Sequence, residues 1–372
     1  MSVLSALRHP IVAAPMAGGP STPALVAAAS AAGGLGFLAA GMIDTGRLAA
    51  DIAEVRARTD RPFGVNVFLP GSGSVDEAAI RAYADRLAPQ AGQHGVTLGE
   101  PVGDDDEYPE KLAALLADPV PVVSFAFGLP DRAAVAALRE RGTEVWATVT
   151  RPDAATTAAE LGVDAVVVQG TEAGGHRGGL PDDDDYALLP LLRLAAAGCR
   201  LPLVAAGGIV DGPGVAAVLA AGATAAQLGT AFLRCPEAGT SPMHREAVAS
   251  WTPTALTRAY TGKRARGVVN EFLRRHDATA PTGYPQVLHL TRPLLAAARR
   301  DGDASVVNLW AGQAHPLSRD VPASALVAEL SAGARAALAA AAERSTRWAE
   351  RAADNWPGRA VRSGRETRRV AP

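Results

Sequence analysis

The sequence predicts an α/β fold, a TIM-type (β/α)8 barrel with a smaller inserted cap domain. Three observations carry that prediction. Short apolar runs rich in valine and alanine recur along the chain, each closed by glycine, proline or a polar residue. Alanine-rich segments with helical start and stop residues separate them. After about residue 240 this rhythm breaks. Buried strands alternating with helices imply parallel βαβ units, and about eight such units fit a closed barrel. An open doubly wound sheet is the alternative the pattern leaves standing.

The elements follow in order. "PIVAAP" reads as the first strand, and "STPALVAAASAAGG" as a helix with a Ser/Thr cap, an early proline and a glycine stop. "LGFLAAG" is the second strand, followed by a helix over 44–58. "FGVNVFL" is the third, with a longer helix from about Val75 to Leu87. "PVVSFAFG" and "DRAAVAALRERG" form the next pair, then "EVWATVT" and "PDAATTAAELG". "DAVVVQG", "PLVAAGG" with "GPGVAAVLAAG", and "TAAQLGT" complete the set. From Trp251 to about His315 prolines, aromatics and basic residues are scattered without clear βα units. "PASALVAELSAGARAALAAAAE" then resumes a long helix, with Leu326, Leu330, Ala334 and Leu338 on one face. The domain expectation is therefore a barrel over 1–240, a cap over 241–317, a helix returning to the barrel over 318–357, and a disordered arginine-rich tail over 358–372.

Composition narrows the function. Lys+Arg is 36 against Asp+Glu 38, so no large charge excess points to nucleic acid or an acidic membrane as partner. The two cysteines, Cys199 and Cys235, have no metal spacing and suit a reduced compartment. The N-terminus lacks a signal-peptide pattern, and the run 24–32 is too short to span a bilayer, so a cytoplasmic location is expected. The acidic runs "DDDEYPE" and "DDDD" read as solvated loops, the second with a helix cap before Tyr186. His9, His94 and His289 have no partner at ligand spacing, so no metal is expected.

In a barrel of this kind the active site gathers the loops at the C-terminal ends of the strands. "AAGGIVDGPG" and "AQLGTAF" both carry glycine where a strand gives way to a helix, an arrangement that aims main-chain N–H groups at a phosphate. The loop "QGTEAGGHRGG" places His176 among glycines at the end of another strand. An imidazole there can accept a substrate proton or, protonated, face an anion. The glycines would admit a flat ligand against the main chain. A structural histidine bonded to a turn is the plainer alternative. Glu172 is expected to hydrogen-bond this loop, and Arg177 to be a surface charge.

Several of these stretches, in order and spacing, resemble the class I nitronate monooxygenase family, formerly called 2-nitropropane dioxygenases. The stretches are "PIVAAPMAGGPSTPALVAAASAAGGLGFLAAG", "PFGVNVFLP", "SFAFGLP", "GVDAVVVQGTEAGGHRG", "LPLVAAGGIVDGPGVAAVLAAGATAAQLGTAFL" and "NLWAGQAH". The resemblance covers roughly 10–318. It implies an FMN-binding barrel with a covering domain, in which Ala14, Pro15 and Met16 line the flavin and Asn66 and Gln169 hydrogen-bond its ring. Gly174, Gly207 and Gly208 would approach the ring or its ribityl phosphate. Gln227, Leu228, Gly229 and Thr230 would complete the phosphate cradle, and His176 matches the family's active-site histidine. The implied reaction takes a small-molecule nitronate or nitroalkane, for example propionate 3-nitronate, with O2 to a carbonyl compound and nitrite. Departures are "MID" after "LAAG", where an aromatic is expected, and a cap with few tyrosines, Tyr260 and Tyr284, for which Trp251 and Trp310 would substitute. Two other readings share the cradle: a flavin-dependent enoyl-ACP reductase using NAD(P)H, and a non-catalytic FMN-binding protein.

Overall fold

The structure, a computed structural model, describes residues 2–71, 75–183 and 185–354; the expected tail over 358–372 lies outside them. Eight strands close into a parallel barrel: β1 (Ile11–Ala13), β2 (Leu35–Ala39), β3 (Phe63–Phe68), β4 (Val122–Ala126), β5 (Glu144–Val149), β6 (Ala165–Gln169), β8 (Leu203–Ala206) and β9 (Ala225–Leu228). β9 pairs back onto β1, with Ala13 opposite Leu228, and that pairing removes the open-sheet alternative.

Strand parity sorts the side chains into layers. Ala165 and Val167 of β6 fall in the cluster inside the barrel with Val12, Phe37, Trp146 and Val204, and Leu4 from the first short helix joins it. Val166 and Val168 fall in the larger cluster between strands and helices. Continuing the alternation by one residue turns Gln169 inward at the barrel's mouth. The same count places Asn66 on β3, Ser124 on β4, Thr148 on β5 and Gln227 on β9 at inward positions near their C-terminal ends. A polar layer therefore crowns an apolar plug, because each of these strands turns polar at an inward position within its last three residues.

The break in rhythm near residue 240 corresponds to a second hydrophobic cluster that includes Tyr260, Phe272, Leu290 and Leu294. Regular elements occur in the region expected to lack clear βα units. β10 (Thr254–Thr257) and β11 (Ala265–Val268) form an antiparallel pair, and the helices Glu271–His276 and Gln286–Asp301 follow. β7 (Gly175–His176), which leaves the barrel after β6, is the third strand of this sheet, with His176 opposite Ala265. The helix after β3 runs Glu77–Gln93, further than the sequence pattern indicates, and contributes Ile80, Tyr83 and Leu87 to the same cluster. The Tyr83 hydroxyl donates to the Ala259 carbonyl at 2.6 Å.

The C-terminal helix Ala323–Asp354 lies along the helices Gly212–Ala220 and Pro23–Ala31. Gly212 and Gly333 let the first two approach at backbone distance: a Cβ on Gly212 would stand 2.5 Å from the Gly333 carbonyl carbon. Leu326, Leu330 and Ala334 are buried in this contact, but Leu338 is 38% exposed. The buried face therefore ends one turn earlier than expected. By length and composition Ala323–Arg351 would be able to cross a membrane; here its first half is part of the barrel's shell.

Candidate active site

A cavity opens at the C-terminal mouth of the barrel under the second cluster. Ala14, Pro15, Met16, Asn66, Gln169, Gly174, His176, Gly207, Gly208, Gln227, Gly229 and Thr230 all line it. Leu228 does not: its parity on β9 sends the side chain outward into the strand–helix layer, where it is 1% exposed. Its carbonyl instead accepts from the Ala14 N–H at 2.9 Å, joining the first and last strand ends.

One side of the cavity presents unspent main-chain donors. Among the described residues the N–H groups of Gly208, Gly229 and Thr230 make no hydrogen bond. Gly207 and Gly208 both take positive φ, which turns the chain between β8 and the helix at Gly212. The Thr230 hydroxyl accepts from the Gly312 N–H at 3.0 Å, so its own proton remains to be donated. A Cβ added to Gly229 would meet only Ala14 and Met16 at ordinary contact distances, so a longer side chain there would project into the cavity. Convergent N–H groups and one hydroxyl at the ends of the last two barrel strands form an anion cradle.

The polar layer is partly spent on its own scaffold. Asn66 Nδ2 donates to the Ser124 hydroxyl at 2.9 Å and to the Ser124 carbonyl at 3.2 Å, leaving Oδ1 to accept. Gln169 brackets the histidine strand: Nε2 donates to the His176 carbonyl at 3.1 Å and Oε1 accepts from the Gly178 N–H at 2.8 Å. Gly174 is excluded from carrying a side chain by protein rather than by ligand. Its Cβ would lie 2.5 Å from the Gly312 nitrogen, where the "WAGQ" segment crosses the loop.

His176 stands in a box of rings, with Phe127 at 5.7 Å, Tyr284 at 5.7 Å and Trp310 at 5.6 Å between centroids. Its Nε2 lies 2.9 Å from Thr261 Oγ1, and that hydroxyl donates to the Lys263 carbonyl at 3.2 Å. With the threonine proton so used, the imidazole donates from Nε2 and keeps a lone pair on Nδ1. Burial, with the Lys263 ammonium adding to it, pushes the His176 pKa down to about 3. The imidazole is therefore neutral at physiological pH, so it carries no positive charge toward an anion.

Other expectations are corrected here. Arg177 is 1% exposed, and its guanidinium donates to the Gly170 carbonyl at 2.8 Å, so it is an internal strut and not a surface charge. Glu172 does not bond the histidine strand; both its oxygens accept from Leu188 N at 2.9 Å, capping the helix Leu188–Gly198. Ala187 is that helix's N-cap residue and has no capping side chain, so the acidic run does not cap it. Asp182 from that run is not solvated either, since it pairs with Arg258 at 2.7 Å. In the other acidic run Asp106 accepts from the Met42 N–H at 2.8 Å and pairs with the buried Lys111 at 2.9 Å. Trp251 is 82% exposed and does not substitute for a cap aromatic, whereas Trp310 lines the cavity. Phe127, His244, Thr261 and Lys263 were not singled out from the sequence. "SFAFG" held a signal for the first, an aromatic followed by glycine at a strand's end; the others lie too far along the chain to be associated with His176.

The sequence model of the nitronate monooxygenase family matches residues 1–333. The chain is 43% identical over 343 residues to a nitronate monooxygenase of Pseudomonas aeruginosa, covering 88% of this chain and 96% of that protein. It is 41% identical over 341 residues to one of Paraburkholderia phytofirmans, covering 88% and 92%. Among solved structures, the nitroalkane oxidase of Streptomyces ansochromogenes superposes with a TM-score of 0.89 at 48% identity, covering 91% of this chain and 99% of that one. FabK from Thermotoga maritima superposes with a TM-score of 0.71 at 27% identity, covering 93% and 97%.

Proposed function

The chain belongs to the nitronate monooxygenase family, a family of oxidoreductases, and from that premise we propose that it is an FMN-dependent enzyme of oxidative denitrification. Its substrates are alkyl nitronates, propionate 3-nitronate among them, which it converts with O2 to carbonyl compounds and nitrite. The observation that carries this reading is a single cavity holding both a neutral imidazole and an anion cradle.

The residues present fit the cofactor. The N–H groups of Gly208, Gly229 and Thr230 and the Thr230 hydroxyl suit a ribityl phosphate, because donors without internal partners need an acceptor. Asn66 Oδ1 suits an N–H of the isoalloxazine ring. FMN supplies the electron chemistry that amino-acid side chains lack. The protein's share is binding, orientation and proton handling. His176, neutral and held through Nε2 by Thr261, takes the α-proton of a neutral nitroalkane on Nδ1. Phe127, Tyr284 and Trp310 keep water from the imidazole and give the carbon chain an apolar wall. Cys199 and Cys235 are both free and buried, in keeping with a cytoplasmic setting.

The test is the visible spectrum of the purified protein before and after anaerobic mixing with ethyl nitronate. A yellow protein whose spectrum changes, and which releases nitrite on admission of air, supports the reading. A yellow protein indifferent to nitronates but bleached by NAD(P)H would replace it with the reductase, and a colourless one would remove the flavin.

A further inference from the structure

Behind the ring of Phe127 lies a second chamber, lined also by Leu69, Leu180, Asp182, Lys263 and Tyr284. Phe127 lines both chambers, so they adjoin at its ring. Among the described residues lining either one, Lys263 is the only lysine or arginine. It is 5% exposed, and its ammonium makes no hydrogen bond to any described residue. Asp182, its nearest carboxylate, is 3.9 Å away and already spent: it pairs with Arg258 at 2.7 Å and accepts from the Arg264 N–H at 2.8 Å. The other contact of Lys263 Nζ is the Phe127 ring, at 4.7 Å from the centroid. An ammonium carries three donors, and those of Lys263 face the chamber without an acceptor from the described residues, so a ligand there can take them.

Phe127 itself is held in an unusual conformation. Phe127 has φ of +71°, a region that bulky residues avoid, and its N–H is fixed by the Gly178 carbonyl at 2.6 Å. Strain of this kind persists at functional sites, where the surrounding contacts over-determine it. The result is one ring with the Lys263 ammonium 4.7 Å from its centre and the His176 imidazole 5.7 Å from it.

We propose that the second chamber is a distal anion subsite, in which Lys263 binds the carboxylate of a substrate whose nitronate end lies against His176. Both groups face the same ring, so Nζ lies no more than about 10 Å from the imidazole centre, and the linking chain is correspondingly short. This rests on the nitronate reading above. It makes Lys263 the residue that distinguishes carboxylate-tailed nitronates from neutral ones, a task the neutral His176 cannot perform.

The test compares the parent holoenzyme with Lys263→Met and Lys263→Arg. The kcat/KM ratio of propionate 3-nitronate to butyl nitronate is measured for each, with flavin content as the check on folding. Charged hydrogen bonds in a buried site predict that the ratio falls by about 30-fold or more in Lys263→Met, through KM, and largely recovers in Lys263→Arg. An unchanged ratio, or an equal loss on both substrates with flavin retained, overturns the subsite. Calorimetric titration with succinate, a two-ended anion that is not oxidised, separates this result from the nitronate reading. If the parent turns over neither nitronate, that reading fails. Succinate binding lost in Lys263→Met would still support the subsite, and equal binding to parent and variant would overturn it.

Discussion

At the scale of single residues, the site depends on two neighbouring side chains whose pKa values are lowered by their surroundings. His176 is pushed down to about 3 and Lys263 to about 8, in both cases first by burial. His176→Asn keeps the shape but removes the base, so flavin content should be unchanged while turnover of neutral nitroalkanes falls by about 100-fold or more. Nitrite release measured on both substrate forms checks it, and equal rates would remove His176 from the chemistry. The pH dependence follows from the same shifts. A group lowered to about 3 does not titrate between pH 5 and 9, so kcat/KM for butyl nitronate should show no inflection near the ordinary histidine value. Lys263 is faced by Asp182, Arg258 and Arg177, with His176 beyond; Asp182 is held below its usual range and stays anionic throughout. The ammonium is present below about 8 and lost above it, so kcat/KM for propionate 3-nitronate should fall as pH rises through that value. A flat profile in the parent, or a fall that persists in Lys263→Met, would sink this assignment.

Among the elements, the strand–loop junctions do most of the positioning. The turn after β9 is open at Gly229, and Gly229→Leu should cost most of the bound FMN, because the side chain would take the phosphate's place. The absorbance ratio of flavin to protein reads this out directly. The histidine strand depends on a different glycine. Gly174→Val would force the "WAGQ" segment away from the loop, since even a Cβ lies 2.5 Å from the Gly312 nitrogen. Overpacking of that kind costs about 1–3 kcal/mol. A lowered thermal midpoint, together with reduced activity, is the expected outcome; a variant as stable as the parent would show that the crossing gives way easily.

For the whole molecule, the C-terminal helix is a barrel element over its first half only. After Leu338 none of its described side chains is buried. Truncation after residue 340 should therefore leave flavin content unchanged and the thermal midpoint within a few degrees, whereas Gly212→Val should destabilise by roughly 1–3 kcal/mol by separating the two helices. Calorimetry on both variants tests the assignment, and a large loss on truncation would contradict it.

The sequence by itself determined the barrel, because each strand is a short buried run and each helix begins and ends on recognisable residues. It also determined which loops meet, since parallel strands bring all their C-terminal ends to one face. It brought His176 and the glycine loops of the last two strands to one cavity, and the parity of β9 turns the Leu228 side chain outward. Arg177, Glu172 and Asp182 could not be read the same way, because a charged residue in a glycine-rich loop looks the same in sequence whether it is solvated or buried. Only the tertiary structure brings Thr261 and Lys263 from the second cluster to the histidine strand, through the pairing of β7 with β11. The charge state of the imidazole was set there too, since its burial and the lysine beside it arise from contacts between distant parts of the chain, which local pattern does not encode.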